Sequence, residues 1–230
     1  MFSKTCVNPT LPPGSLALTF DDGPGPHTLQ VASLLSRHSI RATFFFVGKH
    51  VLSNRRIVRE VKSLGHAIGN HTHTHKNLPQ ISPNVEVIVS EVLQAHRLIS
   101  DCIGEQVRYF RAPWGAWSPA IADQLNSCQE LTHYVGPVHW TVSHKDFQIG
   151  GDIFTQQGIS TYRLDECLTN YTNDIRRQNG GVILLHDWSA DEGPLGEKLR
   201  ANNRSVELTE LLILRFSTFR FLGVDEIATV

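Results

Sequence analysis

The sequence predicts an α/β fold built on a parallel sheet, and three observations support this prediction. Short apolar runs alternate along the chain with longer amphipathic segments, the pattern of repeated β-α-β units. A length of 230 residues suits one large α/β domain and is short for two. Polar motifs directly follow several apolar runs, where the carboxyl ends of parallel strands form the active face of such folds.

The predicted elements follow one another in β-α order. The run 41–47, with three consecutive phenylalanines, has the composition of a strand buried on both faces. The helix over 55–64 ends at Gly65, a residue suited to the left-handed conformation that closes helices. The run 134–140 is a weaker strand, and the polar stretch 188–203 is predicted to be a long loop. Strands are predicted at 16–20, 41–47, 66–70, 107–110, 134–140, 181–185 and 220–224, and helices at 27–39, 55–64, 84–102, 118–126, 163–178 and 205–216.

Composition excludes several classes of protein. A net charge of −1, a pI near 6.9 and 40% hydrophobic residues fit a soluble globular protein with no general attraction for nucleic acid. No apolar stretch approaches the roughly 18 residues of a membrane span. Residues 1–15 contain one lysine, three prolines and no apolar run, so no signal peptide is predicted. We therefore expect either a cytoplasmic protein or a secreted one whose trimmed, mature form begins at Met1.

The cysteines do not indicate a metal or redox motif. Cys6, Cys102, Cys128 and Cys167 are far apart, without a C-x-x-C pair, which argues against a cysteine zinc site or a dithiol centre. Their even number permits two disulfides, but a chain of this size does not need them. Free thiols are an equal alternative.

Two motifs carry candidate metal-binding chemistry. Asp21 and Asp22 are adjacent carboxylates that cannot both ionise cheaply without a cation or strong donors nearby. Taken alone, Asp-Asp-Gly-Pro is also a good turn sequence. His71 and His75 are four residues apart and would share one face if the segment is helical, with His73 pointing away. Two imidazoles and a carboxylate suit zinc as the first expectation, with cobalt, nickel or iron as alternatives.

Three further polar residues could complete a hydrolytic site. Arg111 follows the predicted strand 107–110 and could either orient a carboxylate or form an ordinary surface salt bridge. His186 follows the apolar run 181–185 and could be a general acid or a satisfied core histidine. Asp146 could pair with His186 and raise its pKa.

The order of these motifs resembles that of the polysaccharide deacetylases of carbohydrate esterase family 4, the NodB-homology group. The resemblance extends over roughly residues 15–230. It is strongest in T-F-D-D-G-P at 19–24, H-T-x-x-H at 71–75, R-x-P-x-G at 111–115 and L-x-H at 184–186. It implies a distorted (β/α) barrel formed by a single domain over residues 1–230, with 1–14 as a short N-terminal extension.

The resemblance also implies a role for each motif residue. The implied roles are catalytic base for Asp21, metal ligand for Asp22, His71 and His75, orientation of the base for Arg111, general acid for His186, tuning of that acid for Asp146, and lining of the acetyl-methyl pocket for Leu184. Residues 143–147 read Ser-His-Lys-Asp-Phe, where the family often has D-x-x-D-W. The resemblance therefore does not predict which residues form the wall of the substrate groove. Ala112 replaces a common aromatic residue but keeps the backbone N–H expected to donate to the oxyanion.

The implied activity is metal-dependent removal of N-acetyl groups from an N-acetylglucosamine-containing glycan of the chitin, chitooligosaccharide or peptidoglycan type. Two alternatives are an O-deacetylase acting on a polysaccharide such as acetyl xylan, and a non-catalytic carbohydrate-binding domain that has kept the fold. Aromatic side chains near the motifs could stack on sugar rings or simply fill the core. These aromatic residues are Trp114, Trp117, Trp140, Trp188 and Tyr134. The expected substrate-binding residues are Ala112, Pro113, Trp114, Trp140 and Leu184.

Overall fold

The predicted α/β class is confirmed by the computed structural model, which describes residues 1–7, 9–81, 84–155 and 158–227, with the backbone alone at 152–155 and 158–159. The strands are β1 (Ser15–Asp21), β2 (Thr43–Phe46), β3 (Ala67–Asn70), β4 (Tyr109–Phe110), β5 (Asp152–Thr155), β6 (Gly158–Thr161), β7 (Gly180–His186) and β8 (Arg220–Phe221). The main sheet is parallel, in the order β4-β3-β2-β1-β7, and β8 also pairs with β1. β5 and β6 form a separate antiparallel pair of strands that the sequence did not predict.

Helices surround the sheet, and the six predicted ones lie close to their predicted positions. The helices are α1 (Pro26–Arg37), α2 (Gly48–Val51), α3 (Arg55–Ser63), α4 (Leu78–Ile81), α5 (Val85–Ile103), α6 (Pro119–Asn126), α7 (Leu164–Gln178), α8 (Gly193–Ala201) and α9 (Ser205–Arg215). Of these, α2, α4 and α8 were not predicted. The prediction that Gly65 closes α3 is confirmed by its left-handed φ of 89°. α6 begins behind a side-chain cap, because the Ser118 hydroxyl accepts a hydrogen bond from the Ile121 amide.

The predicted strand at 134–140 is wrong, although the segment lies where a strand would close the barrel. Within it, Val135 forms an isolated parallel bridge with Tyr109 and Val138 forms one with Val7, and just after it Val142 bridges Ile183. Pro137 has no N–H to donate, so a continuous ladder cannot form through the middle of the segment. The irregular segment therefore lies between β4 and β7, the two ends of the sheet.

The predicted loop at 188–203 is also wrong, because it contains α8. Pro194 lies in the first turn of this helix, where its missing N–H costs no intrahelical hydrogen bond. α8 lies on the surface: Gly196 is its buried residue, and Leu195 is 62% exposed. The helix thus lacks the periodic apolar face by which sequence patterns reveal helices.

The phenylalanines of β2 pack on both faces of the sheet, as their consecutive run predicts. Phe44 stacks on Phe20 at 5.0 Å between ring centroids and packs with Phe46 in the main core under the helices. Phe45 points to the opposite face, where the Arg111 guanidinium lies 4.3 Å above its ring. β2 therefore separates the helix-covered core from the polar interior of the sheet.

The N-terminal residues, predicted as an extension, contribute to the core. Phe2 is 3% exposed and packs against Phe110, Trp117 and Tyr134. Its backbone exchanges two hydrogen bonds with the Asn126 side chain. The four cysteines are free thiols, which answers the question that their spacing left open. In the described ranges, no helix combines the length and apolar character needed to cross a bilayer.

Candidate active site

The register of the sheet brings the polar motifs together. Asp21 and His186 are the last residues of neighbouring strands and are paired in register. Asn70 pairs with Phe110 at the ends of β3 and β4, so His71 and Arg111 emerge side by side one residue later. The prediction that these side chains follow strand ends is confirmed, and the parallel register explains why they converge.

Asp22, His71 and His75 form the candidate metal site. One ligand atom from each lies within 4.8 Å of the others. His75 Nε2 lies 3.2 Å and His71 Nε2 lies 3.7 Å from Asp22 Oδ1. His73 is outside the group, and its Nδ1 faces Gly48 instead. This placement agrees with the expectation that the middle histidine points away.

The two histidines do not lie on a helix, so the helical arrangement that their spacing would allow is not how they converge. Residues 71–77 have no helical or strand structure, and Thr72 and His75 have left-handed φ values of 64° and 62°. Such a conformation costs about 1–3 kcal/mol for a residue with a side chain, so the surroundings must hold it. The left-handed residues, rather than a helical repeat, turn both imidazoles toward the site.

The side chains present fit a divalent cation. Asp22 Oδ1 is buried and lacks a hydrogen-bond partner, as a coordinating oxygen would. His71 Nδ1 lies 2.8 Å from the Arg111 carbonyl oxygen, which fixes the ring and leaves Nε2 directed at the site. Burial lowers the pKa of His71 to about 4, so its imidazole is neutral and able to ligate. Despite burial, the neighbouring histidines hold the pKa of Asp22 well below its usual value.

Arg111 is fully buried, which is not the surface salt bridge that the sequence left open. Its Nη1 donates to Asp21 Oδ1 at 2.9 Å and to the Thr19 hydroxyl at 2.7 Å. Nε donates to the Val138 carbonyl at 3.0 Å. Burial lowers the pKa of Arg111, and the Asp21 carboxylate opposes that effect. The guanidinium therefore fixes Asp21 Oδ1, while Oδ2 lies 3.6 Å from His71 Nε2.

The partly buried His186 and the buried Asp146 form a second pair. His186 Nδ1 lies 2.9 Å from Asp146 Oδ1, and the His186 backbone N–H donates to Asp146 Oδ2 at 2.7 Å. Burial by itself lowers the pKa of His186, but the attraction of Asp146 outweighs it and raises that pKa to about 9. Phe147 packs its ring edge-to-face on the imidazole at 5.0 Å. The Asp146 carboxylate thus favours the protonated form of His186.

Replacing Asp146 with asparagine is expected to move the alkaline limb of the pH–activity profile to lower pH. Without the carboxylate, burial of His186 is unopposed and its pKa falls, by about one unit or more. In the native protein the pair stabilises the fold fully below the unfolded histidine pKa of about 6.5, and this contribution is lost as pH rises through about 9. Initial rates and thermal unfolding measured across pH test both effects. An unchanged alkaline limb in the variant would contradict the pairing.

A pocket of about 220 Å³ contains the candidate metal site and opens to solvent. Trp114, Trp140 and Leu184 line it, as expected for substrate-binding residues. Ala112 and Pro113 are buried and are absent from its lining. The full lining is Asp21, Asp22, His71, His75, Trp114, Trp140, Ser143, Phe147, Leu184, His186, Ser189, Asp191 and Leu199.

Several lining residues escaped the sequence reasoning. Ser189, Asp191 and Leu199 belong to the stretch predicted as a loop, whose proximity to His186 was the available signal. Phe147 occupies the position where the resembled family often has tryptophan, and it packs on the acid candidate. Sequence reasoning alone could not show which side chains of these irregular segments face the pocket.

Two of the aromatic residues considered for sugar stacking belong to the core instead. Tyr134 is fully buried, and its hydroxyl accepts a hydrogen bond from the Asn70 amide. Trp117 donates its Nε1–H to the Ser3 carbonyl and packs on the core. Trp188 packs against His27 and Arg200 and is not among the pocket-lining residues. Large aromatic side chains near a motif are thus divided between core and site.

The fold and this site define a hydrolase with a parallel α/β sheet and a candidate metal centre at the carboxyl ends of its strands. Residues 8–131 match the sequence profile of the family described as "Polysaccharide deacetylase". The chain belongs to the polysaccharide deacetylase family, and the family resemblance noted from the motifs is confirmed.

Known proteins of this family share both sequence and fold with the chain. A chitooligosaccharide deacetylase of Azorhizobium caulinodans is 34% identical over 175 residues, covering 75% of this chain and 73% of that protein. The peptidoglycan-N-acetylglucosamine deacetylase PgdA of Listeria monocytogenes is 26% identical over 213 residues, covering 92% of this chain and 38% of that protein. The chitin deacetylase structure from Colletotrichum lindemuthianum has a TM-score of 0.73 at 23% identity, covering 98% and 90% of the two chains, and shows the common fold.

Proposed function

We propose that the protein hydrolyses the N-acetyl groups of an N-acetylglucosamine-containing glycan, with a divalent cation held by Asp22, His71 and His75. The observation that carries the proposal is the arrangement of two charge-paired groups around one ligand cluster. Asp21, held by Arg111, and His186, held by the Asp146 carboxylate, line the same pocket as the cluster. A protein that only bound carbohydrate would not need this combination.

The bound cation would polarise the acetyl carbonyl and lower the pKa of a water molecule. Zinc is the first candidate, because two imidazoles and a carboxylate are common zinc ligands, and cobalt or nickel suit the same set. Asp21 accepts the proton of the attacking water. Its Oδ1 is occupied by the Arg111 guanidinium, so Oδ2, on the side of His71, is the oxygen available for this proton.

His186 supplies the proton that amide cleavage requires. An amine cannot leave as its anion, so the nitrogen must be protonated as the C–N bond breaks. A pKa of about 9 means that His186 carries this proton throughout the neutral range. Asp22 and Asp21 contribute to the raised pKa of His186, and a bound cation would offset their negative charge. The pH above which the metal-loaded enzyme loses activity is therefore expected to lie below 9.

The apolar part of the pocket suits the acetyl methyl group. Leu184 is 5% exposed and lines the pocket two residues before His186, and Trp140 lines it as well. A methyl group enclosed there loses contact with water, which favours an acetyl over a charged acyl group. The Ala112 backbone N–H is the donor to the oxyanion that the family resemblance implies, although the Ala112 side chain is buried outside the pocket lining.

The substrate class is tested by an acetate-release screen of the metal-loaded protein. We expect release from N-acetylglucosamine oligomers to exceed release from acetyl xylan, because the similar proteins named above are chitooligosaccharide and peptidoglycan-N-acetylglucosamine deacetylases. A chelator should abolish the release, and zinc or cobalt should restore it. Faster release from acetyl xylan would favour the O-deacetylase instead. Metal-loaded protein without release from any glycan would favour a carbohydrate-binding role.

Replacing Trp114 with alanine is expected to raise KM several-fold and leave kcat nearly unchanged. Trp114 is 62% exposed, lines the pocket and packs beside His75 at 5.1 Å between ring centroids, which leaves its outer face free for a pyranose ring. Loss of such a stacking contact costs about 1 kcal/mol. Leu52, 58% exposed and outside the pocket, provides a matched Leu52→Ala control. Steady-state kinetics on a chitooligosaccharide would contradict the role if KM were unchanged.

A further inference from the structure

The loop that carries the two histidine ligands is held in its strained conformation by α5. Its residues 71–75 have no regular structure, and two of them are left-handed. A loop of this kind would sample other conformations unless its backbone groups were bonded to a rigid element. α5 is a 19-residue helix that packs along this loop.

Glu91 of α5 makes the principal contact with the loop. One carboxylate oxygen accepts the Thr74 backbone N–H at 2.8 Å, and the other accepts the Thr74 hydroxyl at 2.6 Å. The carboxylate is 6% exposed, so these bonds face little competition from water. Lys76 Nζ lies 3.5 Å from the carboxylate and compensates its charge. Thr74 is the residue directly before the ligand His75.

A second contact fixes the other end of the loop to the same helix. The Asn70 side chain donates to the Val92 carbonyl of α5 at 2.9 Å and accepts the Thr72 backbone N–H at 2.8 Å. The Thr72 hydroxyl in turn accepts the His75 backbone N–H at 3.1 Å. Thr72 is one of the left-handed residues, so this bond stabilises the unfavourable conformation where it occurs.

We propose that Glu91 is a positioning residue that sets the metal affinity of the site by holding the 71–75 loop against α5. The inference rests on the proposed function only in that it takes Asp22, His71 and His75 as the metal ligands. Glu91 touches neither the candidate ligand atoms nor the pocket lining. It acts through Thr74 on the direction of the His75 imidazole.

A carboxylate near a cation site could also act by its charge alone, and the chemistry of glutamine separates the two modes. Glu91→Gln keeps the length of the side chain: its carbonyl can accept the Thr74 N–H while its amide donates to the Thr74 hydroxyl oxygen. Positioning therefore survives in Glu91→Gln and is lost in Glu91→Ala. A charge effect is lost equally in both variants.

The test is the dissociation constant for zinc, measured by competition with a chromophoric chelator, together with the unfolding free energy of the metal-free protein. We expect Glu91→Ala to weaken zinc binding about 10- to 100-fold, the usual range for partners of ligand residues. Glu91→Gln should bind zinc nearly as tightly as the native protein. Glu86→Ala, at the exposed start of the same helix, is the matched control and should not change zinc binding.

Two results would overturn the inference. One is equal weakening in Glu91→Gln and Glu91→Ala, which assigns the effect to charge. The other is unchanged zinc affinity in Glu91→Ala despite a lower unfolding free energy, which assigns Glu91 to general stability. Neither depends on acetate release, so tight zinc binding without deacetylation would defeat the proposed function and leave this inference standing.

Discussion

Replacing Asp21 with asparagine is expected to lower kcat at least about a hundredfold, which corresponds to about 2.7 kcal/mol of lost transition-state stabilisation. Asparagine has the same shape and can still accept the Arg111 hydrogen bond, so the site keeps its geometry. It cannot accept the proton of the attacking water. The variant should therefore bind zinc and glycan but turn over very slowly.

The Asp21→Asn experiment combines acetate-release kinetics with zinc content and thermal unfolding. Asp101→Asn is a suitable control, because Asp101 is an exposed carboxylate that pairs with Arg55 and does not line the pocket. A variant that retains zinc and keeps most of the native turnover would show that another group takes the proton. Loss of zinc with the activity would instead make Asp21 a ligand.

Replacing His186 with alanine is expected to lower kcat on an N-acetylated glycan by at least about a hundredfold, the usual share of a general acid. The loss should be much smaller on 4-nitrophenyl acetate, because a nitrophenolate leaves without being protonated. This difference between leaving groups identifies proton donation, whereas a damaged site would lose activity on both substrates alike.

The matched control for His186→Ala is His38→Ala at the exposed end of α1. Removal of the His186 imidazole also leaves the buried Asp146 carboxylate unpaired, so the variant is expected to be less stable. Kinetics are therefore measured well below its unfolding temperature. Equal losses on the amide and on the nitrophenyl ester would contradict the role of His186 as the acid.

The strand-end residues could be placed from the sequence because parallel sheets impose a simple geometry. An apolar run followed at once by a polar residue locates Asp21, Arg111 and His186, and the order of the motifs allows them to be grouped. Their placement at one edge of the sheet follows from the fold class, whereas the register that pairs Asp21 with His186 is seen only in the structure. The individual roles assigned to them stay predictions for the kinetic experiments.

The irregular segments could not be predicted in this way. The spacing of His71 and His75 suggested a helix, but the two imidazoles converge because Thr72 and His75 are left-handed, which no periodicity reveals. α8 has almost no buried face, so its sequence resembles a loop. The burial of Arg111 could not be predicted either, because an isolated arginine usually lies on the surface.

The most direct test is X-ray absorption spectroscopy at the zinc edge of the zinc-loaded protein. The structure predicts two imidazole nitrogens at about 2.0–2.1 Å with oxygen ligands completing the shell, and one imidazole fewer in His75→Ala. A sulfur ligand at about 2.3 Å would contradict the site, since it would place the ion at a cysteine. An unchanged spectrum in His75→Ala would do the same, because zinc would then be bound elsewhere.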